Sequence, residues 1–152
     1  MMKILFALIF LNLVSILHAE PIMLVSDEEM KASHQNKSSI QSKAASAAAS
    51  VSDAPKIELI NPQLGSNINS PTPIEVKFNP KNPAIIKPES FKALYGSFQI
   101  DITKRLLNVA QVTQQGIQVT EASLPKGSHK ITMNIEDSEG RVGSKTMEFE
   151  IK

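Results

Sequence analysis

The sequence predicts an all-β domain, an antiparallel β-sandwich of about seven strands, over residues 56–152. All six glycines and seven of the nine prolines fall in this region, between short runs in which apolar and polar residues alternate. Such alternation gives a strand one buried face and one wet face, which is how each sheet of an antiparallel sandwich is built. The glycines and prolines mark the turns between these strands.

Three segments alternate most clearly, and they are centred on Val76, Met133 and Phe149. In each of them the residues two positions away on either side are also apolar, so we expect all of these side chains in the core. Weaker strands are predicted around residues 57–59, 91–95 and 116–119. The aromatic residues expected in the core are Phe78, Phe91, Tyr95, Phe98 and Phe149.

Turn chemistry supports the last hairpin and leaves one segment ambiguous. Asp137 and Gly140 stand at the first and fourth positions of a turn, where an Asp side chain bonds the backbone and Gly supplies positive φ. Between residues 98 and 109 the apolar spacing of four, four and three fits a helix as well as a strand. We expect a strand edge that runs into a helical turn, with Asp101 and Thr103 as caps.

Residues 1–19 have the pattern of a secretory signal peptide. Lys3 precedes an apolar run of 14 residues, 4–17, which is shorter than the roughly 20 residues of a membrane span. Ala19 is the small residue before the expected cut, and an uncleaved N-terminal anchor is the alternative. Either way we expect an exported protein, periplasmic or extracellular, with no membrane span after signal cleavage.

Residues 20–55 are predicted to be a disordered linker. Between residues 26 and 55, 8 of 30 residues are Ser and 7 are Ala, with no Gly and no aromatic residue. Such a composition buries too little apolar area to offset the entropy of ordering. The acidic residues Asp27, Glu28 and Glu29 are interpreted as a solvated patch.

Two segments of the β region resemble a known family. Residues 124–131 followed by residues 137–144 look like the last hairpin of bacterial immunoglobulin-like modules, also described as fibronectin III-like. Residues 60–66, with the strand at 74–78, are similar to their first two strands. The resemblance implies an immunoglobulin-like sandwich with Greek-key connections. Such modules serve as spacers, adhesin repeats, enzyme appendages and ligand binders, so the fold alone leaves the function open.

Composition argues against several functions. The 152 residues carry 16 basic and 15 acidic side chains and no cysteine. A nearly neutral chain lacks the positive charge that nucleic-acid binding needs, and cysteine chemistry is excluded. His129 is the one histidine of the β region, and we interpret it as a surface residue because we place it out of phase with the inward-facing Ile131. The sequence therefore predicts no enzyme, no catalytic residues and no cofactor.

Metal binding is the alternative function. The opening pattern also resembles small periplasmic copper carriers of the CopC type. This resemblance implies a copper site with an N-terminal histidine and further histidine and aspartate ligands, as in an Asp-x-His unit. This sequence has no Asp-x-His unit, and its expected mature N-terminus is Glu20. Calcium is a further possibility, with Asp101, Asp137 and Glu139 as weak candidates; a solvated hairpin tip is the simpler interpretation.

The preferred interpretation is a module that binds or spaces proteins or glycans of the cell envelope. The loop before the third strand carries Ile85 and Ile86 among polar residues, which is the best candidate for an exposed apolar patch. We hypothesise that Ile85, Ile86 and Tyr95 contact a partner. The alternative is that the two loop isoleucines are buried under the end of the sandwich.

Overall fold

A computed structural model of the chain describes residues 23–35, 53–63, 65 and 67–152. The predicted signal peptide at 1–19 and residues 20–22 and 36–52 of the predicted linker lie outside the described residues. Within the described part of the chain, no helix is long and apolar enough to cross a membrane.

The domain is an antiparallel β-sandwich of two four-stranded sheets, which confirms the predicted fold class. One sheet has the strand order β1-β2-β6-β5 and the other the order β4-β3-β7-β8. The elements in chain order are α1 (Asp27–Gln35), β1 (Lys56–Asn61), β2 (Thr72–Asn79), β3 (Ile86–Tyr95), β4 (Ile100–Asp101), α2 (Thr103–Leu107), β5 (Ala110–Val112), β6 (Gly116–Ala122), β7 (Gly127–Asp137) and β8 (Val142–Ile151).

The alternating segments form the strands that the sequence predicts. On β2, Ile74, Val76 and Phe78 are buried, and on β8, Met147 and Phe149 are buried between exposed residues. Side chains of a strand point to opposite faces in turn, so the apolar residues of both sheets meet in one layer. Burial of these faces from water supplies the main driving force for the fold.

Residues 98–109 form the predicted strand edge and helical turn. Strand β4 has two residues, and α2 begins two residues later with Ile102 and Leu106 in the core. The prediction that Asp101 and Thr103 cap α2 is wrong, because the N-cap residue is Ile102, whose side chain has no acceptor. Asp101 lies one residue earlier and accepts a hydrogen bond from the Thr103 N–H at 2.8 Å, while Thr103 Oγ1 accepts one from the Ala93 N–H at 2.9 Å. Phe98 differs from the prediction: it is 49% exposed, in the turn between β3 and β4, because this turn carries it past the end of the sheet.

The prediction of a disordered linker is wrong for residues 23–35. Leu24 and Val25 are completely buried in the core, and helix α1 follows them. The helix begins with a capping box, in which the Glu29 N–H donates to Ser26 Oγ at 3.2 Å and the Ser26 N–H donates to Glu29 Oε2 at 3.0 Å. The average composition of the segment does not reveal these two buried apolar side chains or the capping box, which together stabilise it.

Candidate functional site

Candidate functional groups lie at the two ends of the sandwich, which strand β7 connects. Its inward-facing row begins with His129 and ends with Asp137, with three apolar residues between. We call the region around Asp137 the hairpin end, and the region around His129, which residues 23–35 cover, the capped end.

At the hairpin end, Asp137 organises the turn between β7 and β8. Its side chain is completely buried. Oδ1 accepts hydrogen bonds from the Glu139 and Arg141 N–H groups, both at 3.0 Å, and Oδ2 accepts one from Arg141 Nε at 2.8 Å. Burial alone would raise the pKa of Asp137, but these bonds outweigh it and the pKa is lowered. The Asp137 carboxylate is therefore ionised and fixes the hairpin.

Ile85 is held on this hairpin and points into solvent. Its N–H donates to Ser138 Oγ at 3.2 Å, and its carbonyl accepts from the Ser138 N–H at 2.8 Å. The side chain is 54% exposed. Beside it lies a shallow depression of about 250 Å³, and the residues that line it are Lys77, Phe78, Pro80, Ile85, Ile86, Gln114 and Gln115. Ile85 is therefore an exposed apolar side chain on a backbone that two hydrogen bonds hold in place.

The other two residues of the predicted patch do not share this surface. Ile86 is 2% exposed and Tyr95 is 1% exposed, so neither offers its side chain to a partner. Strand β3 begins with Ile86 and ends with Tyr95, which places them at opposite ends of the sandwich. Alternation explains the correction, because Ile85 lies before the strand and Ile86 is its first inward-facing residue.

At the capped end, Tyr95 and His129 form a buried polar pair. Tyr95 Oη lies 2.8 Å from His129 Nδ1, and His129 Nε2 lies 2.7 Å from the Pro125 carbonyl oxygen. A carbonyl oxygen only accepts, so Nε2 carries the proton and the Tyr95 hydroxyl donates to Nδ1. The Phe149 ring stacks on the imidazole with a centroid distance of 5.7 Å.

The prediction that His129 faces solvent is wrong. The residue is 2% exposed, because His129 and Ile131 are two positions apart and therefore share a face of β7. That spacing is the sequence signal that would have placed His129 in the core. Burial lowers the pKa of His129, the bond to Pro125 opposes this, and the nearby His34 lowers it further. Burial also raises the pKa of Tyr95 to about 12.

Helix α1 covers the strand ends that carry this pair. His34 Nε2 lies 2.8 Å from the Ser128 carbonyl oxygen, just before His129. Ser33 packs on Gly96, just after Tyr95: a Cβ atom at Gly96 would lie 2.2 Å from Ser33 Oγ. Because β3 and β7 are neighbouring strands, the helix bridges the two strand ends.

An ion pair fastens the N-terminal segment to α2. Arg105 Nη1 and Nη2 donate to the two carboxylate oxygens of Glu29 at 2.7 and 2.8 Å. The bond from Arg105 is the main cause that lowers the pKa of Glu29 to about 2. Residue Glu29, interpreted from the sequence as part of a solvated patch, therefore joins two elements.

The calcium candidates do not converge. Asp137 pairs with Ile86 at the start of β3, whereas Asp101 pairs with Leu94 near its end. The Asp137 carboxylate is occupied by the hairpin bonds, and Glu139 is exposed. Among the described residues no group of three His, Asp or Glu side chains could hold a metal ion.

Comparison with known proteins gives one structural match. No protein family and no curated protein matches the chain. Among solved structures, CopC from Methylosinus trichosporium OB3b is similar, with 14% sequence identity, coverage of 63% of this chain and 93% of that chain, and a TM-score of 0.41. At this level of similarity the match says nothing about what the chain binds.

Proposed function

We propose that this chain is an exported, non-catalytic β-sandwich module that binds a protein of the cell envelope through its hairpin end. The observation that carries the proposal is Ile85, an exposed aliphatic side chain on a backbone fixed by two hydrogen bonds to Ser138. A backbone that is already held in place loses little entropy on binding. The signal-like segment at 1–19 supports export.

The surroundings of Ile85 favour a protein partner over a glycan. The depression beside it combines apolar side chains with the amides of Gln114 and Gln115 and the cation of Lys77. Protein interfaces combine a small apolar centre with such a polar rim. We expect a partner side chain, aliphatic or aromatic, to fill the depression against Ile85.

The histidine chemistry favours a non-catalytic module. Both ring nitrogens of His129 are engaged inside the protein, one with Tyr95 and one with the Pro125 carbonyl. A general base needs a free nitrogen within reach of substrate. A spacer needs no contact surface for a partner, so the following experiment separates a spacer from a binding module.

Site-directed crosslinking tests the proposal. The chain contains no cysteine, so Ile85→Cys carries a single photoreactive label. Phe98→Cys is the matched control, because Phe98 is 49% exposed and lies at the opposite end of the sandwich. In an envelope fraction of the source cells we expect a discrete protein adduct from position 85 and none from position 98.

Competition gives the second arm of the test. An excess of unlabelled wild-type protein should abolish the adduct, whereas an excess of folded Ile85→Ser should not. Equal labelling from both positions, or competition by Ile85→Ser as strong as by wild type, would show that the hairpin end is not the contact surface. If the partner is a glycan, the chain should bind the envelope fraction without forming a protein adduct, and Ile85→Ser should weaken that binding.

A further inference from the structure

The N-terminal segment 23–35 is attached to the sandwich by contacts that converge on the Tyr95–His129 pair. Val25 is completely buried, and the Leu24 N–H donates to the Ser123 carbonyl at 3.1 Å. Further along the segment, His34 contacts the residue before His129, and Ser33 contacts the residue after Tyr95. The segment therefore covers this pair and contributes to the core at the same time.

The neutral imidazole of His129 satisfies both of its hydrogen bonds and the Tyr95 hydroxyl proton, because Nε2 donates to Pro125 and Nδ1 presents a lone pair to that proton. In the imidazolium, Nδ1 would instead donate to the Tyr95 oxygen, and the Tyr95 proton would lose its acceptor in a buried place. A buried charge without a counter-ion and a buried donor without an acceptor both oppose the closed state, in which residues 23–35 cover the pair.

Among the described residues, the groups around His129 do not supply a compensating negative charge. From β3 it faces the Tyr95 hydroxyl, from β8 the Phe149 ring, and from the preceding turn the Pro125 carbonyl. From α1 the nearby ionisable group is His34, whose charged form is a cation and cannot balance an imidazolium. Glu29 of the same helix helps to raise the pKa of Tyr95, but its carboxylate is held in a bidentate ion pair by Arg105.

We propose that residues 23–35 form an acid-released cap, which leaves the sandwich when His129 takes up a proton. Release lets water solvate the imidazolium and the Tyr95 hydroxyl, while the strands keep their pairing. This inference is independent of the proposed contact surface, which lies at the other end of the sandwich.

The direction of the pH effect follows from linkage. The pKa of His129 in the closed state is below its ordinary 6.5, so the open state binds the proton more tightly. The closed state is fully favoured above pH 6.5 and loses its advantage as the pH falls from 6.5 through the lowered pKa. At pH 5 the ratio of open to closed protein can rise by at most about 30-fold.

Thiol protection in the full chain measures release directly. Val25→Cys places a thiol under the cap, Val119→Cys places one in the centre of the β1-β2-β6-β5 sheet, and Ala32→Cys gives an exposed reference on α1. Each is the single thiol of its variant. Dividing each labelling rate by that of the reference at the same pH removes the pH dependence of thiol reactivity.

We expect the normalised labelling of Val25→Cys to rise between pH 7.5 and pH 5, by up to about 30-fold, while Val119→Cys stays protected. Adding His129→Gln, whose amide can replace both hydrogen bonds without titrating, should remove the rise. Adding His34→Gln, which keeps a donor to Ser128, should leave it.

Several outcomes would overturn the proposal. These are a Val25→Cys thiol that stays protected at pH 5, a parallel rise at Val25→Cys and Val119→Cys, and a rise that His34→Gln removes. Should His129→Gln not fold, the NMR titration of the His129 ring takes its place: a midpoint that departs from that of Val25→Cys labelling rejects His129 as the trigger.

Discussion

The two ends of the sandwich bury an ionisable side chain from the same strand, but they satisfy it by opposite means. Asp137 stays charged because Arg141, four residues away, donates to it from its backbone and its guanidinium. His129 stays neutral, and the helix over it comes from a segment 94 residues away in the His34–Ser128 contact. A charge that is paired locally needs no distant cover, whereas the lowered pKa of the His129 imidazole depends on a cover that keeps water away.

The comparison also separates the roles of the two ends. The hairpin end is closed by its own turn and leaves Ile85 exposed on a fixed backbone. The capped end has its polar pair covered and depends on residues 23–35. The hairpin end is suited to a contact surface that is always exposed. The capped end is suited to a cover that can open and close.

The largest effect is expected from Phe149→Ala at the capped end. Phe149 is 9% exposed and stacks on His129. Its truncation should lower the free energy of unfolding by about 3 to 5 kcal/mol, measured by urea denaturation. Phe98→Ala, at an exposed aromatic, should cost less than about 0.5 kcal/mol. A loss below about 1 kcal/mol for Phe149→Ala would mean that the wrong face is assigned to the core.

Asp137→Asn tests the hairpin end. The substitution leaves the partly buried Arg141 guanidinium without its counter-charge, so we expect a loss of about 3 kcal/mol in the same measurement. Glu139→Gln, an exposed acid in the same turn, is the control and should change stability by less than about 0.5 kcal/mol. Equal effects of the two substitutions would contradict the central role of Asp137.

Two glycines compare the ends with matched backbone strain. Gly96 and Gly140 have φ of +69° and +77°, but a Cβ atom would meet Ser33 at Gly96 and, among the residues that the structure describes, nothing within 4 Å at Gly140. Gly140→Ala should cost about 1 kcal/mol of strain alone, and Gly96→Ala about 2 kcal/mol or more. If Gly96→Ala costs no more than Gly140→Ala, Ser33 does not pack against Gly96 as described.

The pH dependence of stability should separate the ends. His129 has a lowered pKa, so its contribution is lost as the pH falls below its ordinary 6.5, with a ceiling of about 2 kcal/mol at pH 5. Asp137 also has a lowered pKa, and its contribution is lost only below its ordinary 3.8. Denaturation between pH 7.5 and pH 5 should therefore show a decline that His129→Gln abolishes; a decline that persists in this variant would assign the loss to other groups.

The smallest effect on stability is expected from Ile85→Ser. The side chain is 54% exposed, so its replacement should change the free energy of unfolding by less than about 0.5 kcal/mol. The same variant should lose partner binding, which crosslinking competition measures. A loss of stability above 1 kcal/mol would show that Ile85 belongs to the core rather than to a contact surface.

Local patterns predicted much of the fold. Alternation identified β2, β7 and β8, and the pairing of Asp137 with Gly140 predicted the hairpin, because each signal lies within a few consecutive residues. The capping box from Ser26 to Glu29 was equally local and would have indicated α1. The predicted apolar patch was less accurate: Ile85 is exposed as expected, whereas Ile86 and Tyr95 are buried and do not reach that surface.

By itself the sequence determined which residues of each strand share a face, since side chains alternate with a period of two along any strand. It also determined the turn that Asp137 closes, because both partners lie within four residues. Only the tertiary structure decided that residues 23–35 cover Tyr95 and His129, and that Arg105 holds Glu29. These contacts join positions 76 and 94 residues apart, and no local pattern encodes which distant surface a short segment will meet.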